Sequence, residues 1–276
     1  MTSSVLDEAG ACCERATTAR VDNYLAGGVD NYPADRELAW QLSQTAPWVR
    51  GMVRINRHHG HRVVTALATQ CGIGHVLDLG CGLPPAVAPL NPPATYISAA
   101  SVRPDARVAY VDNDPVVSAY ARTDLGESEA TVAIQADVRQ IDQLLAHPKM
   151  SLFDRAQPML VLVHDLLTWV NLESATGIMC ALRNWLPAGS AISLTHACTD
   201  REPETMKFLA RHYAEADIDY YPRSLQQIQA LLGPWDHLPP GIVPTAQWDV
   251  DGPGAVDPLP IPCDPCSYAA VITTSV

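Results

Sequence analysis

Short apolar runs alternate along this chain with longer stretches of helical periodicity. The runs are His75-Val76-Leu77, Arg107 to Val111, Thr131 to Ile134, Met159 to Val163 and Ala191 to Thr195. Each reads as a strand, and the fourth and fifth are continuous apolar runs of the kind buried between helix layers. Arg20 to Gln70 predicts an N-terminal helical cap, broken at Gly27-Gly28 and restarted at Pro33. Its apolar face holds Leu38, Leu42, Trp48, Met52 and Ile55, then Val63, Val64 and Leu67, which should be core. Further helices are expected over Glu202 to Ala214 and Ser224 to Leu232. A closing pair, Gln247 to Val250 and Tyr268 to Thr273, predicts an antiparallel edge hairpin. Asp251 to Cys266 between them is rich in Pro and Gly and reads as an exposed loop. Strands alternating with helices predict an α/β architecture with a mainly parallel sheet.

At 276 residues and 47% hydrophobic content, the chain can bury one substantial core. We expect a loose tail over 1–18 and a single domain over 19–276. Within it, 19–70 is the helical cap, 71–200 a cofactor-binding core, and 201–276 the C-terminal helices and hairpin. No internal repeat is visible.

The first strand runs into Asp78-Leu79-Gly80-Cys81-Gly82-Leu83-Pro84, which describes a strand stopping in a glycine turn. A dinucleotide fingerprint needs G-x-G-x-x-G, so that helix N-terminal N–H groups can hold a pyrophosphate. Here Gly80-x-Gly82 is followed by Pro84-Pro85, which removes two donors, and Asp78 adds a negative charge. Both features disfavour phosphate and a nicotinamide oxidoreductase. They suit S-adenosylmethionine, which has no phosphate, carries an ammonium that a carboxylate attracts, and has a ribose that glycine lets come close.

The second run ends in Asp112-Asn113-Asp114 and the third in Gln135-Ala136-Asp137. In an open α/β sheet the ligand crevice lies outside such strand ends. Asp112 can there accept from both ribose hydroxyls, and Asp137 from an adenine amino group. Asp114 reads instead as a helix N-cap with Pro115 at the first helical position. Any one of these acids could merely cap a turn; three in order, each closing a strand, point to one crevice.

With these residues the chain resembles the actinobacterial S-adenosylmethionine-dependent methyltransferases of unassigned substrate. The resemblance covers most of the chain. It includes Ala19-Arg20-Val21-Asp22-Asn23-Tyr24-Leu25-Ala26-Gly27-Gly28-Val29-Asp30-Asn31-Tyr32-Pro33-Ala34-Asp35-Arg36, Arg54-Ile55-Asn56-Arg57, the Asp78 loop, Tyr110 to Val117, Gln135 to Arg139 and Leu186 to Ser190. It implies a Rossmann-like class I methyltransferase fold, with a seven-stranded sheet and an antiparallel edge hairpin. By resemblance, Asp78, Gly80, Gly82, Asp112 and Asp137 contact the cofactor; Asn113, Val138 and His164 complete the expected set. Two departures stand out. Pro85, Pro89, Pro92 and Pro93 cannot sit in a helix interior, so the first crossover should be reshaped. Where the family often shows a His after the fourth strand, this chain has Thr168, with His164 one turn earlier.

A formal net charge of −12 opposes unguided binding to nucleic acid. Arg50, Arg54, Arg57 and His61 recur on one helical face, read either as a solvated face or as a binding edge for an acidic substrate. No run approaches a transmembrane length, and Met1 to Thr18 lacks the features of a signal peptide. The expectation is a cytoplasmic protein without membrane partners, with a homodimer left open. Cys263-Asp264-Pro265-Cys266 has zinc-knuckle spacing but no second pair at matching spacing, and Cys12-Cys13 is a poor chelator. No metal is expected.

Methyl transfer asks mainly for positioning, because the sulfonium is already activated. A base is needed only for a protonated amine or a hydroxyl. Candidates after the fourth and fifth strands are His164, Asp165, Trp169 and His196, with His164 and His196 the candidate catalytic pair. His164 and Asp165 are neighbours, so an extended segment would point only one at the pocket. Tyr24, Asn31 and Tyr32, with Trp169, form a candidate lid over a small ligand. The expected function is methylation of a small-molecule acceptor at oxygen or nitrogen. The alternative is a catalytically inactive cofactor-binding protein, motivated by the prolines and Thr168.

Overall fold

The computed structural model describes residues 14–84, 91–124, 128–249, 252 and 266–274. Most of the expected tail, Pro85, Pro89, Cys12, Cys13, Cys263 and nearly all of the 251–266 connection lie outside the described residues.

Three helices form the N-terminal cap: α1 (Thr18–Leu25), α2 (Pro33–Thr45) and α3 (Val49–Gln70). The break at Gly27 has φ +92°, and Pro33 sits in the first turn of α2, where its missing N–H costs nothing. A buried ion pair ties α1 to α2: Arg20 Nε lies 2.7 Å from Asp35 Oδ2, with both side chains at most 1% exposed. The apolar face expected from the sequence, Leu38 through Leu67, is buried throughout.

The rest of the chain winds around one sheet. In order come β1 (His75–Leu79), α4 (Thr95–Ala100), β2 (Arg107–Asp112), α5 (Pro115–Asp124), β3 (Thr131–Gln135), α6 (Ile141–Leu145), β4 (Met159–His164), α7 (Leu172–Trp185), β5 (Ala191–Ala197), α8 (Pro203–Glu215) and α9 (Leu225–Leu232). Short β6 (Asp236–His237) and β7 (Val243–Pro244) precede the long β8 (Ser267–Thr273). Strands β1 to β5 are parallel neighbours in the order β3-β2-β1-β4-β5, and β8 adds antiparallel to β5. Alternate strand residues feed two apolar clusters: Leu77, Val111 and Val161 on one face, Val76, Tyr110 and Leu162 on the other. α4, following Pro92-Pro93, has only 6 residues.

The edge differs from expectation. The antiparallel strand is present, but Gln247 to Val250 is not its partner; β6 and β7 pair with β8 instead, giving eight strands rather than seven. Packing and side-chain bonding displace the predicted strand. Thr245–Gln247 is a 3-10 turn, held by a 2.7 Å bond between Thr245 Oγ1 and Ser267 Oγ, and Trp248 is buried against His59. Val250 lies outside the described residues. Among the described residues, no helix is long and apolar enough to cross a membrane.

Candidate functional site

The strand order reverses between β1 and β4, which opens a crevice at their carboxyl ends. The glycine turn lies there, bonded to β2: Gly80 N and Cys81 N donate to Val111 O at 2.8 and 3.1 Å. Gly82 N donates to Asp112 Oδ2 at 3.0 Å, and Asp112 Oδ1 accepts from Asp114 N at 3.0 Å. Both glycines adopt positive φ, +65° at Gly80 and +63° at Gly82, where a side chain is strained. Their surroundings differ. A Cβ on Gly80 would fall 2.8 Å from Leu166 Cδ1, whereas one on Gly82 would meet nothing within 4 Å.

Two adjoining cavities flank this turn and share Ala19, Asp22, Gly80, Gly82, His164 and Asp165. The larger, about 530 Å³, is lined by Asp112, Asn113, Asp137, Val138 and Trp169. The smaller, about 160 Å³, is lined by Asp78, Asn56, Arg57 and Thr95. Asp78 Oδ2 accepts from Thr95 Oγ1 at 2.7 Å, and burial pushes its carboxyl up to about 6. Burial also raises Asp112, against the bonds from Asp114 and Gly82 that favour its ionised form.

The end of β4 supplies two groups. His164 Nε2 lies 2.8 Å from Ser193 Oγ, and burial lowers its pKa to about 3, so the ring is neutral. Asp165 follows at φ +51°. That left-handed turn breaks strand alternation, so both neighbours line both cavities instead of one. Asp165 N donates to Thr195 Oγ1 at 2.9 Å, and its Oδ1 accepts from Thr168 Oγ1 at 2.7 Å. Burial raises Asp165 to about 7, aided by the charge of Asp22 and opposed by Thr168 and the Ala197 amide.

Asp22, Asn56 and Arg57 complete the wall; of these the sequence pattern marks only Arg57, as part of a basic binding edge. Burial raises Asp22 to about 6, partly offset by the Arg57 guanidinium. Arg57 Nη1 donates to Leu83 O at 3.4 Å. For Asp22 and Asn56 the signal is the resemblance, since Asp22 lies within Ala19 to Arg36 and Asn56 within Arg54 to Arg57.

The model of a family described as S-adenosyl methyltransferase matches residues 8–272. The chain belongs to that S-adenosyl methyltransferase family. Two crystal structures resemble it over nearly their whole length. One is a DUF574-family protein from Streptomyces avermitilis, 30% identical, covering 95% of this chain and 98% of its own, with a TM-score of 0.86. The other, a candidate methyltransferase from Thermobifida fusca, is 32% identical, covers 97% and 98%, and has a TM-score of 0.86. A plantazolicin methyltransferase solved with S-adenosylhomocysteine shares the fold at 12% identity and a TM-score of 0.55, covering 100% of each chain. No curated protein matches the chain. The methyltransferase therefore has the class I fold, and its cofactor is S-adenosylmethionine.

The residues fit that cofactor. Open space above Gly82 admits close approach; Asp78 is a carboxylate for an ammonium, and Asp112, Asn113 and Val138 line the larger cavity beside it.

Several expected site residues of the methyltransferase lie elsewhere. His196 is fully buried; its Nδ1 donates to Ala197 O at 2.8 Å and its Nε2 accepts from Arg223 Nη1 at 2.6 Å. Both ring nitrogens are committed to structure, and His196 lines neither cavity. The candidate lid is likewise absent from both linings apart from Trp169. Asn31 Nδ2 donates to Asn23 Oδ1 and Gly28 O, Tyr32 packs under the Arg20 guanidinium, and Tyr24 lies under that of Arg50. Trp169 does line the larger cavity, edge-on to Tyr213 at 5.0 Å and tilted against Tyr220 at 5.1 Å. Asp137 is there too, but its carboxylate is bonded to Arg139 Nε and Nη2, which holds it below the usual range. Of the basic helical face, Arg50 is exposed while Arg54, Arg57 and His61 are half-buried; Arg57 lines the smaller cavity, and His61 Nδ1 lies 2.8 Å from Ser98 Oγ.

Proposed function

We propose that the methyltransferase acts on a small-molecule acceptor, at nitrogen or oxygen, bound where the smaller cavity meets the larger. The observation that carries this reading is the shared wall between the cavities, in which Asp22, His164 and Asp165 stand beside the glycine turn. The recess is enclosed by cap and strand-end side chains, which suits a small acceptor rather than a macromolecule.

When bound, the cofactor supplies a methyl group on a positively charged sulfur. The remaining work falls to the chain. Asp78 pairs with the cofactor's ammonium, Asp112 accepts from its ribose, and Gly80 and Gly82 let it approach the backbone. Asn113, Val138 and Trp169 enclose the adenosine side. Thr168 and the Ala197 amide orient Asp165, which supports Asp165 as the group that takes a proton from the acceptor, with His164 as a neutral hydrogen-bonding partner. Thr168, set against activity by the sequence pattern, thus serves the site.

Calorimetric titration with S-adenosylmethionine and S-adenosylhomocysteine tests the cofactor half of this reading. Saturable binding to both is expected. No heat from folded protein would overturn it. Methyl release from labelled cofactor in small-metabolite extracts, but not with protein or RNA, tests the acceptor half.

A further inference from the structure

Three carboxyls, Asp22, Asp78 and Asp165, line the smaller cavity. Asp22 and Asp165 come from α1 and from the turn after β4, and both line this space. Asn56, only 9% exposed, lines it too, and its Oδ1 has no hydrogen-bond partner. A buried amide oxygen left unpaired costs free energy, and a donor brought to this wall, met by a turn of the amide, would relieve it. Charge points the same way. Asp22, Asp78 and Asp165 meet one guanidinium, Arg57, beside a neutral His164. The cofactor, with one sulfonium, one ammonium and one carboxylate, brings a single net positive charge. Burial raises all three carboxyls, so a cation arriving at the acceptor end is what favours their ionised form.

We propose that the acceptor is a primary or secondary amine that arrives as its ammonium ion, held by Asp22, Asp165 and Asn56, so that the enzyme is an N-methyltransferase. This rests on the small-molecule reading above and reverses the acidic substrate suggested by the arginine pattern. An ammonium supplies the several N–H donors that three acceptors require, and burying it is favourable only where carboxylates face it. One N–H proton then passes to the Asp165 carboxylate, the N–H bonding pair stays on nitrogen as a lone pair, and the neutral amine is the form able to take a methyl group. The raised pKa of Asp165, about 7, keeps it basic enough for that transfer at neutral pH.

The test uses the full chain saturated with S-adenosylhomocysteine, titrated calorimetrically with primary amines from methylamine to benzylamine, each beside its matched alcohol and carboxylate. At least one amine should bind tenfold or more tightly than its alcohol, with the carboxylate weakest. Asp22→Asn and Asp165→Asn, each loaded with S-adenosylhomocysteine and shown to be folded by circular dichroism, should each remove that preference. Equal binding of amine and alcohol, preference for the carboxylate, an amine preference that survives both variants, or no amine binding by the loaded protein would overturn the amine assignment. Failure to load S-adenosylhomocysteine at all would instead overturn the cofactor reading on which it rests.

Discussion

His164 and His59 meet at one hydroxyl: Ser193 Oγ lies 2.8 Å from His164 Nε2 and 3.1 Å from His59 Nε2. A hydroxyl has one proton, so it donates to one ring and accepts from the other. His59 Nδ1 is buried without a partner, which a lone pair tolerates better than an N–H. His59 therefore carries its proton on Nε2 and donates to Ser193, and Ser193 donates to His164. The remaining His164 proton sits on Nδ1, beside Gly60 on the wall of the smaller cavity. Burial keeps both rings neutral. His164 thus offers a hydrogen-bond donor, which agrees with Asp165 as the proton acceptor in the proposed function.

Ser193→Ala removes the shared hydroxyl and leaves two buried Nε2 atoms unmatched. Stability should fall by about 1–3 kcal/mol, read from urea denaturation. An unchanged midpoint would mean that the hydroxyl does not bridge the rings.

Asp165→Asn should stabilise the ligand-free protein at alkaline pH. The folded carboxyl at about 7 lies above its unfolded value of 3.8, so its contribution is fully present below 3.8 and is lost as pH rises through 7. An amide ionises at neither pH and keeps the Thr168 bond. The melting temperature of the variant, relative to the native protein, should be higher at pH 8 than at pH 5. A pH-independent difference would show that Asp165 titrates normally.

The two glycines should fail differently. Gly80→Ala drives a methyl into Leu166 as well as straining the backbone, and should lower the melting temperature more than Gly82→Ala. Gly82→Ala costs about 1–2 kcal/mol of backbone strain and projects its methyl into open cavity, so S-adenosylhomocysteine affinity should drop although the protein folds. Native affinity in Gly82→Ala would place the cofactor away from this turn.

Asp112→Ala should weaken S-adenosylmethionine binding by about 1.5–3 kcal/mol, the usual worth of hydrogen bonds to a charged group. Because Asp112 also accepts from Gly82 N, part of the loss comes from a loosened turn. An unaltered dissociation constant in calorimetry would reduce Asp112 to a turn cap.

Five parallel strands were legible because continuous apolar runs have one good location, between helix layers. Runs such as Met159 to Val163 coincide with observed strands to within a residue or two. The closing hairpin was not. Two-residue β6 and β7 carry no periodicity, and Gln-Trp-Asp-Val mimics a strand although Trp248 is buried against His59. At the site, residues fixed by the strand ends were found, while Asp22 and Asn56, brought in by the cap, were not. Asp22 and Tyr24 lie two apart on one short helix, and only packing against α3 decides which reaches the cavity. His196 looked like a strand-end base because nothing in its neighbourhood announces Arg223, 27 residues later.

The left-handed backbone at Asp165 sets limits on how such an enzyme can diversify. Few residues tolerate φ of +51° there, chiefly Gly, Asn and Asp. Relatives seeking a new acceptor could exchange one atom at this position and change the cavity's charge, yet could hardly change its size. Enlargement would have to come from the cap helices, so selectivity for charge and selectivity for bulk can be tuned on separate parts of the chain.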